Sequence, residues 1–266
     1  MPAIVSAPVP SERSESRGKD FLELLLRERK LDHTLTNWGL TPGSDPMAAR
    51  WLVPTGIGEL DARLEGGIPR GHLSEVVGPQ SSGRLAILMS ALAGATSRGE
   101  AVALIDPLDM FDPISASASG VDFQRMLWIR GEASSAARVS LSCEYGTLQK
   151  SLDRAVKSLN IVLQAGGFGV VVLDLGEVAP QTIKRLPYTT WLRLHRVIEG
   201  SETACVLIGR EPIARSAGGV TVQLATGQTR GPQPGSSAGV ACARVIRARK
   251  VESDDHVRVP LSAAAC

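Results

Sequence analysis

Two glycines five residues apart set the first chemical expectation. The stretch Gly78-Pro79-Gln80-Ser81-Ser82-Gly83 has the spacing of a loop that wraps phosphate oxygens in backbone N–H groups. It lies between an apolar run ending at Val77 and another opening at Leu85, the strand, loop and helix order that such a loop requires. Phosphoryl transfer needs two more groups directly after the second glycine: a Lys ammonium that reaches the outer phosphates, and a Ser or Thr hydroxyl that ligates Mg²⁺. This chain carries Arg84 and Leu85 in those places. Arg84 keeps a charge that can grip phosphate, but in a planar fork bulkier than an ammonium. Leu85 brings a branched alkyl group to the mouth of the loop and offers a metal no oxygen. Loss of the metal ligand is the graver change, because the metal neutralises charge that develops on the transferred group.

Other residues with chemical potential are fewer. Val170-Val171-Val172-Leu173-Asp174 reads as a central parallel strand whose closing carboxylate sits at the phosphate edge of a sheet. Without a hydroxyl at position 85, Asp174 would hold Mg²⁺ only through water; the alternative is a strand-end residue that caps or hydrogen-bonds. Asp106 closes a second buried strand, 101–106, with Asp109 nearby as a candidate general base. His195 is a lone histidine in a helical stretch, where a structural role is the expectation. Cys143, Cys205, Cys242 and Cys266 lack the paired spacing of a zinc site and read as reduced thiols.

The elements that position these groups follow from composition and periodicity. The chain has 266 residues, 43% hydrophobic and 21% charged, which are ordinary globular values. Its longest apolar runs fall short of the roughly 18 residues that a membrane span needs, and the first residues carry no export signal. A cytoplasmic protein, associated with the nucleoid, is expected. The formal net charge of +2 supplies no global field for nucleic acid, so any DNA contact would be local, as at Arg244, Arg247, Arg249 and Lys250. Residues 1–17 read as a disordered tail. Residues 18–46 read as an amphipathic helix, with Phe21, Leu24, Leu25 and Leu31 on its apolar stripe, followed by a breaker-rich linker. That stripe would pack on its own domain or on a partner. Residues 47–261 form the core domain, and 262–266 a short tail. Helices are expected over 85–95, 148–163 and 188–199, the last with Trp191, Leu192, His195 and Ile198 packed. Strands 241–251 and 256–261 would make a terminal hairpin, with Ser253-Asp254-Asp255 as its turn.

The segment before the loop adds a specific resemblance. Thr55-Gly56, Leu60-Asp61 and Gly66-Gly67-Ile68-Pro69-Arg70-Gly71 lead into Leu73-Ser74-Glu75-Val76-Val77 and the loop itself, and this series resembles the lead-in of the RecA recombinase family. The resemblance implies an α/β fold with a three-layer RecA-type core and a mainly parallel central sheet. It also implies what is missing. Where that family places its catalytic glutamate, two residues after the strand-end aspartate, this chain has Leu108; where it places a glutamine that senses the terminal phosphate, this chain has Arg210. Beyond Arg210, the segment Arg215-Ser216-Ala217 looks like that of ImuA-type proteins, RecA-like accessory factors of bacterial mutagenic repair.

Departures at Arg84, Leu85, Leu108 and Arg210 touch phosphate grip, metal, water activation and sensing. The expectation is therefore a non-catalytic accessory protein of translesion synthesis, with no metal, no catalytic residue and at most weak ATP binding at residues 78–85 and Asp174. The resemblance implies three partners: an ImuB-like polymerase homologue, an error-prone replicative-type polymerase and RecA. Two alternatives stand beside it, an ATP-dependent DNA-binding recombinase and a cell-division inhibitor of the SulA type.

Overall fold

The computed structural model describes residues 50–131, 145–214, 218–225, 239–247 and 257–261. The segment expected as an N-terminal helix, with Phe21, Leu24, Leu25 and Leu31, lies outside the described residues, as do residues 1–17 and 262–266, Arg215-Ser216-Ala217, Arg249, Lys250 and the turn expected at 253–255. In chain order the elements are β1 (Leu52–Val53), α1 (Gly58–Arg63), β2 (Ile68–Pro69), β3 (Leu73–Val77), α2 (Arg84–Ser97), β4 (Ala101–Asp106), α3 (Pro113–Ala118) and β5 (Met126–Arg130). There follow α4 (Tyr145–Ala165), β6 (Phe168–Asp174), α5 (Pro180–Ile183), α6 (Tyr188–Ile198), β7 (Ala204–Gly209), β8 (Thr221–Ala225), β9 (Gly239–Arg247) and β10 (Val257–Leu261).

The main sheet runs β10-β9-β8-β3-β7-β6-β4-β5. Strands β8 to β5 in that order are parallel, while β9 and β10 are antiparallel additions, with Ala243 opposite Val257. Both faces of the parallel part are covered, which is why its strands are almost continuously apolar. Alternation along each strand assigns the faces. Val76, Val170, Val172, Val206 and Ile208 join Ile87, Leu88 and Leu92 of α2 on one side. Leu73, Val171, Leu173, Cys205 and Leu207 join Leu152 and Leu159 of α4 and Trp191, Leu194 and Ile198 of α6 on the other. This is the three-layer α/β arrangement expected, with a mainly parallel sheet and a terminal β-hairpin.

The differences are local. On α6 the packed stripe is Trp191, Leu194 and Ile198, whereas Leu192 is exposed; the three-residue step from 191 to 194 turns Leu192 toward solvent. Strand β9 is described over Gly239–Arg247, from two residues before its expected start, and its expected last residues, 248–251, lie outside the described residues. Helix α4 is longer at both ends than its apolar stripe, carried on by exposed residues such as Gly146, Thr147, Gln164 and Ala165.

The lead-in segment has a physical basis in one carboxylate. Asp61 accepts hydrogen bonds from the Thr55 N–H (2.7 Å), the Thr55 hydroxyl (2.7 Å) and the Gly56 N–H (3.1 Å). These bonds fold the Thr-Gly turn back onto α1. Gly67, at φ 141°, passes so close to Val53 that a Cβ would stand 2.1 Å from its carbonyl oxygen, so only glycine permits this crossing. Asp61→Ala removes the acceptor of two backbone donors and of the buried Thr55 hydroxyl, which keeps only the bond it accepts from the Ile57 N–H. We expect it to lower stability by about 2–3 kcal/mol, measured by denaturant unfolding, with Asp61→Asn intermediate.

Candidate functional site

The loop between β3 and α2 stands at the carboxyl edge of the central strands, where open α/β sheets place their ligand crevices. Gly78 donates to the Gly209 carbonyl (3.1 Å), and Gly83 at φ 92° turns the chain into α2. Pro79, Gln80 and Ser81 are exposed, Ser81 in the left-handed region at φ 59°. Ser82 is buried, and its hydroxyl oxygen has no partner.

The side chains after the loop point elsewhere. Arg84 is only 7% exposed. Its guanidinium reaches back under the carboxyl edge of the sheet and donates to the Gly176 carbonyl (3.1 Å), the Gly209 carbonyl (3.0 Å) and the Glu177 carboxylate (3.1 Å). Two of these acceptors follow β6 and one ends β7, so one side chain ties three neighbouring strand ends together. Arg210 approaches the same place from outside, donating to the Gly176 carbonyl (3.2 Å) and the second Glu177 oxygen (3.0 Å). Glu177 thus bridges two guanidiniums. The expectation that Arg84 is turned toward phosphate is replaced by an inward clamp, because its longer fork finds two buried carbonyls that an ammonium on a shorter stem would miss. Leu85, expected at the mouth, is half-buried and packs on the apolar cluster beneath α2.

The remaining sites are likewise occupied by the protein itself. Asp174 accepts from the Gly176 N–H (2.9 Å). Burial pushes its carboxyl up to about 6, Asp106 adds to the rise, and the Gly176 N–H and Arg84 oppose it. Asp106 is buried and accepts from the backbone N–H groups of Met110 (3.0 Å) and Phe111 (2.9 Å). Those bonds shape the loop after β4 so that Leu108 packs on the sheet's second apolar cluster. Asp109, at φ 54°, turns away and is gripped by both arms of Arg130, at 2.7 and 2.8 Å. A carboxylate committed to a bidentate ion pair is poorly placed to take a proton from water. His195 packs against the His72 ring with centroids 5.8 Å apart. Cys205 is fully buried, and burial pushes its thiol up to about 12.

These residues do not fit a magnesium nucleotide. Position 85 offers no oxygen, the cation at position 84 is spent on protein acceptors, and position 108 is apolar and packed. Residues 78–83 supply backbone donors and the side chains of Gln80, Ser81 and Ser82, but no charge.

Two contributors were not singled out in the sequence. Glu177 joins the two arginines. Glu75 is buried in the middle of β3 and accepts from the N–H groups of Ile213 (2.7 Å) and Ala214 (2.6 Å) and from the Thr221 hydroxyl (3.2 Å). A carboxylate inside a wholly buried five-residue strand is a readable signal, since a buried charge requires such partners.

Comparison with known proteins agrees with this geometry. Residues 45–138 match the RecA N-terminal domain family. Protein RecA of Leifsonia xyli is 42% identical over 133 residues, which is 50% of this chain and 32% of that protein. Protein RecA of Thermus aquaticus is 26% identical over 174 residues, 60% of this chain and 46% of that protein. The matches thus take in a third to just under half of those relatives' length. A crystal structure of the RadB recombinase superposes with a TM-score of 0.54 at 17% identity, covering 80% of this chain and 98% of that one.

Two outcomes test the clamp. Arg84→Lys weakens the bonds to the Gly176 and Gly209 carbonyls and to Glu177, acceptors that each keep a second donor in Arg210 or the Gly78 N–H, so it should cost about 1–3 kcal/mol in the absence of any nucleotide; a residue reserved for phosphate would change apo stability little. For Asp174, the folded carboxyl binds a proton more readily than the unfolded one. Its contribution to stability is therefore largest below pH 4 and is lost as pH rises toward 6. The loss is about 1–2 kcal/mol once the residue's partial exposure is discounted, and Asp174→Asn should remove it from a pH series of unfolding midpoints. Residues 45–138 are thus similar in sequence to the RecA N-terminal domain, and the described domain has a RecA-like α/β fold.

Proposed function

We propose that this protein is a non-catalytic RecA-like accessory factor of the DNA damage response, acting in translesion synthesis through protein contacts, as ImuA-type proteins do. The observation that carries the reading is the inward clamp. Arg84, in the place of the catalytic lysine, is consumed by Gly176, Gly209 and Glu177, and Arg210, in the place of the phosphate sensor, is consumed by the same carboxylate. A fold whose nucleotide edge is already satisfied by its own side chains stands without a ligand there and is left with its surfaces as working parts. Its partners on this reading are an ImuB-like polymerase homologue, an error-prone replicative-type polymerase and RecA. DNA contact is local, nucleotide binding is weak at best, and the place of action is the cytoplasm near the nucleoid. Among the described residues no helix is long and apolar enough to cross a membrane.

The purified protein should release phosphate from ATP no faster than a mock preparation, with or without single-stranded DNA. Deleting its gene should lower damage-induced mutation without lowering recombination. Turnover that disappears on Asp174→Ala would overturn the first part; unchanged induced mutation would overturn the second. Restoring Arg84→Lys and Leu85→Thr together should give Mg-nucleotide binding without hydrolysis. Water activation still lacks a carboxylate at Leu108, and a missing general base costs about 10²–10⁴ in rate. Adding Leu108→Glu and Arg210→Gln is the combination expected to recover weak turnover.

A further inference from the structure

A cavity of about 260 Å³ opens beside the clamp, between α5, the start of α6 and residues 210–213. Its wall combines apolar and aromatic side chains, among them Ile183, Leu186, Trp191 and Ile213, with the charged Lys184, Arg210 and Glu211. The charged members are held in two ion pairs, Lys184 to Glu211 at 2.7 Å and Arg210 to Glu177 at 3.0 Å. We propose that this cavity is a docking site for an acidic peptide segment of a partner protein, which seats one bulky apolar side chain in the recess and lays its carboxylates along α6. The proposal rests on the protein-contact reading above and names the chemistry of one partner segment.

Three observations support it. The wall is built before anything binds. Pro180 opens α5, Pro187 caps α6, and Glu75 fixes the backbone of Ile213 and Ala214 from inside the sheet. A preformed recess spares the ordering cost that a floppy one imposes on binding. The size is also selective. At about 260 Å³ the space lies below the roughly 300–1,000 Å³ of sites that enclose drug-sized ligands, but it admits an aromatic or branched side chain of the kind that anchors interfaces.

Charge then selects the partner. Residues 178–198 contain Lys184, Arg185, Arg193 and Arg196 and no Asp or Glu. Tyr188 and Leu192 are 56% and 44% exposed, and with exposed Arg196 they recur at four-residue steps along one face of α6. The surface leading from the recess is thus apolar and basic together. A nucleic acid is the less suitable occupant. Its backbone carries a charge at every nucleotide and would bring phosphates against Glu177 and Glu211, and Trp191, at 4% exposure, presents no open ring face for a base to stack on. A peptide places an uncharged side chain between those two carboxylates and its acids farther along, opposite Arg193 and Arg196.

The test is selection of a randomised peptide display library on the immobilised full-length chain, followed by fluorescence polarisation with labelled copies of the selected peptides. The expected enrichment is Phe, Trp or Leu with Asp or Glu within the next turn or two. Tyr188→Ala and the double change Arg193→Glu with Arg196→Glu alter exposed positions, so melting temperatures should hold while each raises the peptide Kd about tenfold or more. Enrichment of neutral or basic peptides, or acidic peptides that bind Tyr188→Ala and the double variant as well as the parent, would sink the proposal. So would an oligothymidine probe that binds through Tyr188 when no peptide is selected. ATP turnover by the same preparation would remove the non-catalytic reading and leave the peptide result standing, so the two failures are distinguishable.

Discussion

The carboxyl edge of the sheet depends on one buried guanidinium. Strand ends in a parallel sheet converge there with backbone carbonyls unpaired, and each orphaned acceptor is costly once it is removed from water. In this chain the Gly176 carbonyl accepts from both Arg84 and Arg210, the Gly209 carbonyl from both Arg84 and the Gly78 N–H, and Arg84 balances its charge on Glu177. Gly176 is itself constrained by this arrangement, since a Cβ there would come within 2.9 Å of the Arg84 guanidinium. Arg210 closes the cluster from the solvent side. Loop, central strands and the segment after β7 are therefore held in one arrangement by protein groups alone.

The same logic extends across the sheet. Asp106 gathers the loop after β4, Asp61 gathers the turn before α1, and Glu75 gathers the segment before β8. In each case a carboxylate accepts backbone N–H groups that no helix or strand satisfies. The core is conventional, two apolar clusters on the faces of one sheet, and what individualises the molecule is how its loops are tied down.

Much of the architecture was legible because it rests on local pattern. Continuous apolar runs such as 170–173 can only be buried parallel strands, and Gly67 betrays a close backbone crossing. The identity of Arg84 and Leu85 was legible too, but their directions were not. Whether an arginine faces phosphate or protein depends on carbonyls at positions 176 and 209, distant in sequence and brought near only by the strand order. Leu192 was misplaced for a smaller reason: two three- to four-residue steps lead from Trp191 to Ile198, and burial follows the one through Leu194. Nothing in sequence marked the recess by Trp191, because its walls come from three separate segments whose proximity is set by strand pairing.

The Glu75 anchor also bears on how this fold can diverge. By holding the backbone at Ile213 and Ala214, while Gly176 and Glu177 hold Arg210, it makes residues 210–214 a fixed bracket mounted on the sheet. Chain added between Ala214 and Gly218 leaves every one of those bonds intact, whereas Gly219 and Val220 are packed on β3, Val220 through hydrogen bonds with Glu75 and Ser74. A gene can therefore lengthen the stretch before Gly218 without breaking those anchors, and changes of specificity would be expected to accumulate there, while the bracket beneath it stays the same.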